Sequence, residues 1–378
     1  MALHKVLFTA STASHIYNFH LPYLEYFQQQ GWTVHVACGG AVKTLPYTDK
    51  VFTLPLQKKM QSPDNFRAAL QLRQIIKQEQ YHFISTHTSL AAFFTRLALR
   101  GLRQRPPLAN MVHGYLFDDK TSFLKRQILL SAEKTTAPQT DLLLTMNQWD
   151  FDLATRYHLG KRIVHIPGIG VDFSRLSLAS NGDAQTLRKT YDIPKNSFVL
   201  LYAAEFSKRK GQAILIQAMR YLPSHVVLVL AGDGILLNDC KTLTAQFGLT
   251  NRVIFPGYVR EMGRWYQIAD AVVSSSRSEG LPFNIMEAMY MEKPVVASAV
   301  KGHTDLIQDH INGLLYPFGD AAVCARQIQT LIKSPALRRF YGQQAKADVT
   351  QYQLSTVFPQ VIAQYQSLLP TEQVTVKA

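Results

Sequence analysis

Short apolar runs alternate with longer amphipathic segments along most of the chain. In the first half, each apolar run of strand length precedes a segment with apolar residues at helical spacing, such as the one from Ile16 to its stop at Gly31. The runs are Val6–Ala10, Val34–Cys38, Phe83–Ser85, Ala109–Val112, Leu142–Thr145 and Ile163–Ile166. This alternation predicts a parallel sheet that is covered by helices on both faces.

A polar stretch between about Asp172 and Ser197 interrupts the alternation. It resumes with the runs Phe198–Ala203, Val226–Ala231, Val253–Phe255, Ala271–Ser275 and Val295–Ser298. The pattern predicts an α/β chain of two doubly wound domains, 1–175 and 176–350. Residues 351–378 are predicted to form a C-terminal helix that packs back on the N-terminal domain, with a frayed tail from Pro370. Because doubly wound sheets bind ligands at the carboxyl ends of their strands, we expect the domains to face each other across a cleft.

Composition supports a folded chain with an anionic partner. Its 378 residues suit two domains, and 47% hydrophobic with 17% charged residues exclude bulk disorder. No apolar run approaches the roughly 20 residues of a membrane span, and the N-terminus has the pattern of a first strand rather than a signal peptide. Three scattered cysteines argue against a disulfide framework or a zinc motif and favour a reducing cytosol. The net charge of +14 suggests nucleic acid, acidic lipid or phosphorylated molecules as partners, although an ordinary basic surface would also account for it.

The segment Ser278–Ala288, which directly follows the run Ala271–Ser275, is the strongest candidate site. Pro282 suits the first position of a helix, whose free amides would form an anion site. Glu279 in the loop and Glu287 in the helix would lie near that anion site, where their carboxylates can accept hydrogen bonds from sugar hydroxyls. We expect both side chains at the surface or in a cleft. An ordinary helix start also favours acidic residues, so the glutamates alone do not define a site.

The spacing of these glutamates resembles a known signature. Two glutamates separated by seven residues, with Gly-Leu-Pro after the first, resemble the Glu-x7-Glu motif of retaining glycosyltransferase family four. Further similar segments are Phe198–Gly211, Ala231–Gly234, Val253–Gly257, Asn312–Leu315, His113-Gly114, Thr145–Asn147 and Ile166–Asp172. The N-terminal residues Ser14-His15 and Asn18–Pro22 resemble the branch that builds capsular and exopolysaccharides. The resemblance covers most of the chain and implies the GT-B fold, with two Rossmann-like domains.

The resemblance also implies roles for individual residues. It implies that Glu279 binds the transferred sugar, Glu287 the ribose and Lys210 the diphosphate. The implied catalytic residues are Glu279, His113 and Lys210. The implied donor-binding residues are Glu287, Gly280, Leu281, Pro282, Phe283, Arg209 and Gly232. The acceptor-side candidates are His15 and Asp118. No metal is expected, because basic side chains and a helix N-terminus would stabilise the departing diphosphate.

Three local features modify this picture. Glu205 stands where the family often has an arginine, so Lys208 or Arg209 would have to compensate. The loop Ser11–Ser14 has no glycine where the family is often glycine-rich. Asp150 and Asp152 form a literal Asp-x-Asp, but they follow Asn147 at a predicted helix start, where acidic residues are favourable without a metal.

The implied activity is transfer of a hexosyl or N-acetylhexosaminyl group, with retention, from a nucleoside-diphosphate sugar, expected to be a UDP-sugar, to a glycan acceptor. The acceptor is expected to be linked to a lipid diphosphate in surface polysaccharide synthesis, and no cofactor is expected. Basic and apolar residues are mixed in two stretches, Arg96–Arg105 and Lys120–Leu130, which suits docking to the anionic inner face of the cell membrane. A helix that is buried on one side with a solvated basic edge would look the same.

Two alternative activities remain open from the sequence. A non-hydrolysing sugar-nucleotide 2-epimerase uses the same two-domain fold and would form product without an acceptor. A basic nucleic-acid-binding protein is the other alternative. The chain has no recognisable nucleic-acid recognition module and does not interleave its basic residues with aromatic ones, so we expect no nucleic acid as partner.

Overall fold

The computed structural model describes residues 4–40, 42, 44–176 and 181–369. It divides into two compact units, residues 1–169 with 357–378 and residues 170–356. The boundaries therefore lie at 169/170 and 356/357 rather than at the predicted 175/176 and 350/351. Val171 explains the difference, because its amide donates to the Tyr352 carbonyl and its carbonyl accepts from the Leu354 amide. The tail expected to fray from Pro370 lies outside the described residues, as do residues 177–180 of the polar stretch.

The first unit contains a seven-stranded parallel sheet. Its strands are β1 (Lys5–Ala10), β2 (Thr33–Gly39), β3 (Lys50–Leu54), β4 (Phe83–His87), β5 (Leu108–Val112), β6 (Leu142–Thr145) and β7 (Arg162–His165). Its helices are α1 (Ala13–Phe19), α2 (Leu21–Gln29), α3 (Pro63–Glu79), α4 (Ser89–Leu99), α5 (Phe123–Thr136) and α6 (Gln148–Arg156). The strand order is β3-β2-β1-β4-β5-β6-β7. The order reverses between β1 and β4, the place where doubly wound sheets bind ligands.

The second unit repeats this plan with six parallel strands. They are β8 (Phe198–Ala203), β9 (Val226–Ala231), β10 (Val253–Gly257), β11 (Ala271–Ser274), β12 (Val295–Ser298) and β13 (Leu314–Tyr316), in the order β10-β9-β8-β11-β12-β13. The helices are α7 (Asn181–Thr190), α8 (Gln212–Ala218), α9 (Leu237–Gln246), α10 (Met262–Ile268), α11 (Phe283–Tyr290), α12 (Ala321–Lys333) and α13 (Pro335–Val349). Here the order reverses between β8 and β11. The predicted fold class of two doubly wound parallel sheets is confirmed.

The last helix, α14 (Leu354–Gln366), begins in the second unit and continues, from Val357, in the first. Within the first unit, the Tyr365 hydroxyl lies 3.0 Å from the Ser85 hydroxyl of β4. The Phe358 ring lies 5.1 Å from the Tyr23 ring of α2. The C-terminal part of this helix thus completes the core of the N-terminal sheet. Among the described residues, no helix has both the length and the apolarity that crossing a membrane requires.

Candidate active site

The loop that follows β8 is fastened to the end of β11 in the second unit. The carbonyl of Lys210 accepts hydrogen bonds from the Tyr202 hydroxyl at 3.2 Å and from the Ser275 hydroxyl at 2.9 Å. Tyr202 is fully buried, so its ring anchors this contact from inside the core. The arrangement holds the side chains of Arg209 and Lys210 at the carboxyl edge of the sheet, beside the strand-order reversal.

Glu279 is buried and forms ion pairs with both of these cations. Its Oε1 accepts from Lys210 Nζ at 2.5 Å, and its Oε2 accepts from Arg209 Nη1 at 2.7 Å. Burial raises the pKa of Glu279, but the charges of Lys210 and Arg209 outweigh it and lower the pKa to about 2. Burial lowers the pKa of Lys210, although Glu279 opposes that shift. At neutral pH the carboxylate is therefore ionised between two positive groups.

Glu287 has different neighbours on α11. Its Oε1 accepts from Arg175 Nη2 at 2.5 Å, and its Oε2 accepts from the Tyr266 hydroxyl at 3.0 Å. Burial raises the pKa of Glu287, opposed by the Arg175 charge. No local pattern predicted Arg175 or Tyr266 as partners, because a 3₁₀ turn and α10 supply them from distant parts of the chain.

Two details of this segment differ from the sequence-based expectation. Both glutamates are buried, with 8% of Glu279 and 7% of Glu287 exposed, so of the two expected places, surface or cleft, the surface is wrong. Pro282 is the N-cap of α11, with an extended backbone, and Phe283 is the first helical residue. The ion pairs cause the first difference, because a buried carboxylate needs compensating partners. The second moves the helix start by one residue.

A segment after β12 packs against the Glu279 loop and was missed by sequence reasoning. Gly302 has φ of +81°, and a Cβ there would lie 2.8 Å from both the Glu279 Cβ and the Gly280 carbonyl oxygen. Next to it, the buried His303 places Nε2 3.1 Å from the Ser274 hydroxyl. Burial lowers the pKa of His303 to about 4, although the Glu279 charge opposes this shift. The position of Gly302-His303 a few residues after β12, the strand next to β11, was the available signal.

The remaining candidates of this unit have mostly backbone roles. Gly232 has φ of +141°, and a Cβ there would lie 2.1 Å from the Ala204 carbonyl oxygen, so this glycine lets the loops after β8 and β9 touch. Glu205, at the place of the missing arginine, is exposed. Lys208 is exposed as well, and it is Arg209 that contacts Glu279. Leu281 is buried and Phe283 half-buried beside the start of α11.

In the first unit, the candidates His15 and His113 belong to a group of four histidines. Their rings lie 4.4 Å apart, and the buried His20 and His87 are close by, with ring centroids 3.7 Å apart. Burial lowers the pKa of His15 to about 4, and burial together with neighbouring histidines lowers the pKa of the other three well below its ordinary value. We call these four residues the histidine cluster. Its imidazoles are neutral at neutral pH.

A cleft of about 1290 Å³ opens in the first unit at the carboxyl ends of its central strands. Its lining includes Gly39 at the end of β2, Thr88 after β4 and the basic Lys58 and Lys59. Ser11, from the loop that lacks glycine, also lines it, and its hydroxyl lies 2.6 Å from that of Thr88. The cleft is large enough for sugar units and presents hydroxyls and positive charge.

Asp118 and Asp150 both stabilise local structure. Asp118 Oδ1 accepts from the Lys120 amide at 3.0 Å and from the Thr121 hydroxyl at 2.9 Å, which closes a turn. The buried Asp150 donates its amide to Asn147 Oδ1 at 2.8 Å, which caps α6. Asp150 thus belongs to a helix start.

The basic stretches contain both buried or ion-paired residues and exposed ones. Arg96 is fully buried and pairs with Glu133 at 2.7 Å, so its expected place on a basic surface is wrong. Arg105 pairs with Asp141 at 2.6 Å. Between Lys120 and Ile128, the exposed basic and apolar residues are Lys120, Phe123, Leu124, Lys125 and Ile128, which we call the α5 patch.

Two doubly wound units, with carboxylates and cations at the strand-order reversal of the second, define a GT-B glycosyltransferase. Residues 183–348 match the family model described as Glycosyl transferases group 1, and residues 23–175 match that of Glycosyltransferase Family 4. EpsD of Bacillus subtilis (strain 168), named as a glycosyltransferase, is 34% identical over 347 residues, which cover 90% of this chain and 91% of that protein. The chain belongs to glycosyltransferase family four.

Two more distant proteins extend the comparison. The Escherichia coli UDP-Gal:alpha-D-GlcNAc-diphosphoundecaprenol alpha-1,3-galactosyltransferase is 24% identical, covering 78% of this chain and 79% of that protein. The crystal structure of Anabaena Alr3699/HepE in complex with UDP shares the fold, with a TM-score of 0.79, 22% identity and coverage of 97% and 100%. The predicted enzyme class is confirmed, and these matches support neither the epimerase nor the nucleic-acid-binding alternative.

Proposed function

We propose that this chain is a retaining glycosyltransferase of surface polysaccharide synthesis. It transfers a hexosyl or N-acetylhexosaminyl group from a UDP-sugar to a glycan linked to a lipid diphosphate. The observation that carries the proposal is the cluster of Glu279, Lys210 and Arg209 beside the start of α11, because it joins sugar-binding and diphosphate-binding chemistry at one sheet edge.

On the donor side, Lys210, Arg209 and the N-terminal end of α11 stabilise the charge that develops on the departing diphosphate. Glu279 holds the two cations in place and, with lone pairs to spare, accepts hydrogen bonds from hydroxyls of the transferred sugar. Glu287 binds the ribose hydroxyls, and Arg175 orients its carboxylate. Positive groups of the protein thus supply the field that a metal supplies elsewhere.

The chemical step is a front-face substitution. The bond between the anomeric carbon and the phosphate oxygen breaks, and a bond to the acceptor oxygen forms on the same face. The acceptor proton passes to the departing phosphate. His113, neutral in its buried surroundings, positions the reacting hydroxyls on the acceptor side, with His15 next to it.

The relatives and the surface support the proposed substrates and location. The Escherichia coli relative is named for UDP-Gal and a diphosphoundecaprenol acceptor, and the Anabaena structure holds UDP. The large cleft of the first unit offers hydroxyls, Lys58 and Lys59 to an acceptor. The α5 patch combines apolar and basic side chains, which suits peripheral attachment to the inner face of the cell membrane.

A donor and acceptor screen tests the proposal. UDP should raise the unfolding temperature, because a ligand at 100 times its Kd adds about 2.7 kcal/mol to stability. Transfer from the matching UDP-sugar to a lipid-diphosphate-linked sugar should then proceed in the presence of EDTA. The NMR spectrum of the product should show that the new glycosidic bond has the same anomeric configuration as the donor. An inverted product would contradict retention. Turnover of the donor without an acceptor, or a loss of transfer in EDTA that Mn²⁺ or Mg²⁺ restores, would contradict the proposed chemistry.

A further inference from the structure

The histidine cluster lies at the centre of the carboxyl edge of the first sheet. His15 is on α1, His20 joins α1 to α2, His87 is the last residue of β4, and His113 follows β5. Because β1, β4 and β5 are neighbours in the sheet, their carboxyl ends bring these four side chains together. The proposed positioning of the acceptor needs only one histidine, His113. The other three imidazoles at this strand-order reversal are therefore not explained by that role.

The spacing of the ring nitrogens fits a transition-metal ion. His15 Nε2 and His20 Nε2 lie 3.3 Å apart, and one ring nitrogen each of His15, His20 and His113 lies within 4.8 Å of the other two. Zinc–nitrogen bonds of about 2.0–2.1 Å in tetrahedral geometry place two ligand nitrogens about 3.4 Å apart. His15 and His20 already have this separation, and rotation of the half-buried His113 ring closes the set.

The surroundings also resemble those of a ligand set. His87 Nδ1 lies 3.5 Å from His113 Nε2, and His87 Nε2 lies 3.0 Å from the Ser85 hydroxyl, so His87 supports the His113 ring from behind. Outer groups of this kind orient metal-ligating histidines.

We propose that the histidine cluster binds one Zn²⁺ ion through His15, His20 and His113, with a fourth position open. The bound ion immobilises His113 and therefore inhibits transfer. The binding part is independent of the proposed function, whereas the inhibition part rests on the proposed role of His113. Zinc acts here as an inhibitory ligand, in contrast to a catalytic metal that the reaction would need.

Metal binding is measured first, on the metal-depleted full chain without donor or acceptor. Equilibrium dialysis against Zn²⁺ should leave one ion per chain, and Co²⁺ in its place should show the intense visible bands of a four-coordinate ion. His15→Gln and His113→Gln should each weaken binding by more than about 10-fold, since even outer-shell changes cost that much. His165→Gln, an exposed histidine of the same unit, is the matched control and should bind like the parent chain.

Because His20 is buried, the His20→Gln variant can fail to fold, so its unfolding temperature is measured first. If it does not fold, the test of the zinc site rests on His15→Gln and His113→Gln, whose parent residues are half-buried. No bound zinc in the parent chain, or equal losses in His15→Gln and His165→Gln, would overturn the site. In a separate activity assay, excess Zn²⁺ should suppress transfer and EDTA should restore it. Full transfer activity with zinc bound at the site would overturn the proposed inhibition. Absence of transfer under all conditions would count against the proposed function, but it would not affect the result of the binding measurement.

Discussion

Glu279 and Glu287 lie on the same short segment but have opposite electrostatic surroundings. Glu279 has two cations, which lower its pKa to about 2. Glu287 has one half-exposed arginine and a tyrosine hydroxyl, and burial raises its pKa. The first carboxylate is therefore suited to hold a permanent charge beside a leaving diphosphate. The second is suited to accept hydrogen bonds from hydroxyls.

This difference predicts different kinetic effects for two conservative substitutions. Glu279→Gln should lower kcat by about 10²-fold or more, the scale for loss of a transition-state contact. Glu287→Gln should mainly weaken nucleotide binding, by about 10- to 100-fold, because a charged hydrogen bond contributes about 1.5–3 kcal/mol. Steady-state kinetics and UDP titration measure both. Glu261→Gln, which alters an exposed ion pair with Arg264, is the control and should leave both quantities unchanged. Near-normal turnover of Glu279→Gln would refute the assignment.

The pKa shifts also predict opposite pH dependences of stability. The pKa of Glu279 in the folded chain lies below its ordinary 4.5, so its stabilisation is present above pH 4.5 and is lost as the pH falls towards about 2. The pKa of Glu287 is raised, so its contribution is present below pH 4.5 and is lost as the pH rises through the folded value. Urea unfolding from pH 7 to pH 3 should therefore show a destabilisation by Glu279→Gln that shrinks on acidification. For Glu287→Gln, the free energy of unfolding minus that of the parent chain should be larger at pH 7 than at pH 4. If this difference changed with pH in the same way for both variants, the opposite pKa shifts of Glu279 and Glu287 would be contradicted.

At the scale of elements, the donor site depends on how closely the strand-end loops of the second sheet approach one another. The loop before α11 and the loop after β12 meet at Gly302, where there is no room for a Cβ. Lys210 and Tyr202 tie the loop after β8 to the same place. The position of Glu279 is therefore fixed by three loops.

Gly302→Ala should disturb this packing and the site with it. The added Cβ would meet Glu279 and Gly280, so we expect at least a 10-fold loss of UDP affinity, about the effect of losing 1.4 kcal/mol. Gly319→Ala is a matched control, because Gly319 also has a positive φ, of +91°, but a Cβ there meets nothing within 4 Å. It should carry only the backbone strain of about 1–3 kcal/mol and keep UDP affinity. Equal UDP affinities of the two variants, by calorimetric titration, would show that contact with the Glu279 loop is unimportant.

Elements with strong local patterns were predictable, and contacts across the chain were not. The apolar runs of β8 and β9, buried almost throughout, stand out in the sequence. By contrast, β3 is half exposed and β13 has three residues, so neither has a clear apolar run. The carboxylates were found because they share one short segment. Their partners Arg175 and Tyr266 come from separate elements that only the tertiary fold brings to Glu287, and no spacing rule reports them.

At the scale of the whole molecule, the charge of +14 is unevenly distributed. Up to residue 178 the chain has 20 Lys and Arg against 11 Asp and Glu. Some of this charge is internal, as the buried pair of Arg96 and Glu133 shows. The rest includes the exposed Arg100 and Arg103 and the two lysines of the α5 patch. An exposed basic surface with apolar residues beside it suits an anionic membrane as the partner.

The α5 patch therefore predicts salt-dependent binding to anionic vesicles. Each basic residue near such a surface contributes about 1 kcal/mol, and the Debye length falls from about 10 Å at 0.1 M salt to about 3 Å at 1 M, which screens this attraction. The protein should sediment with anionic vesicles at low salt, leave them at high salt and bind neutral vesicles poorly.

Two substitutions separate the apolar from the basic contribution. Phe123 and Leu124 are 77% and 71% exposed, so replacing both by Ser should weaken vesicle binding without loss of stability. Lys120→Glu with Lys125→Glu should weaken it further and flatten its salt dependence. Ile235→Ser in the second unit, at a residue 85% exposed, is the control for loss of surface apolar area and should bind like the parent. UDP affinity should stay constant in the variants of the α5 patch, because the patch is in the other unit from the donor site. If vesicle binding responded to neither salt nor these substitutions, both the charge and the apolar side chains of the α5 patch would be dispensable for attachment. The basic surface would then serve another partner.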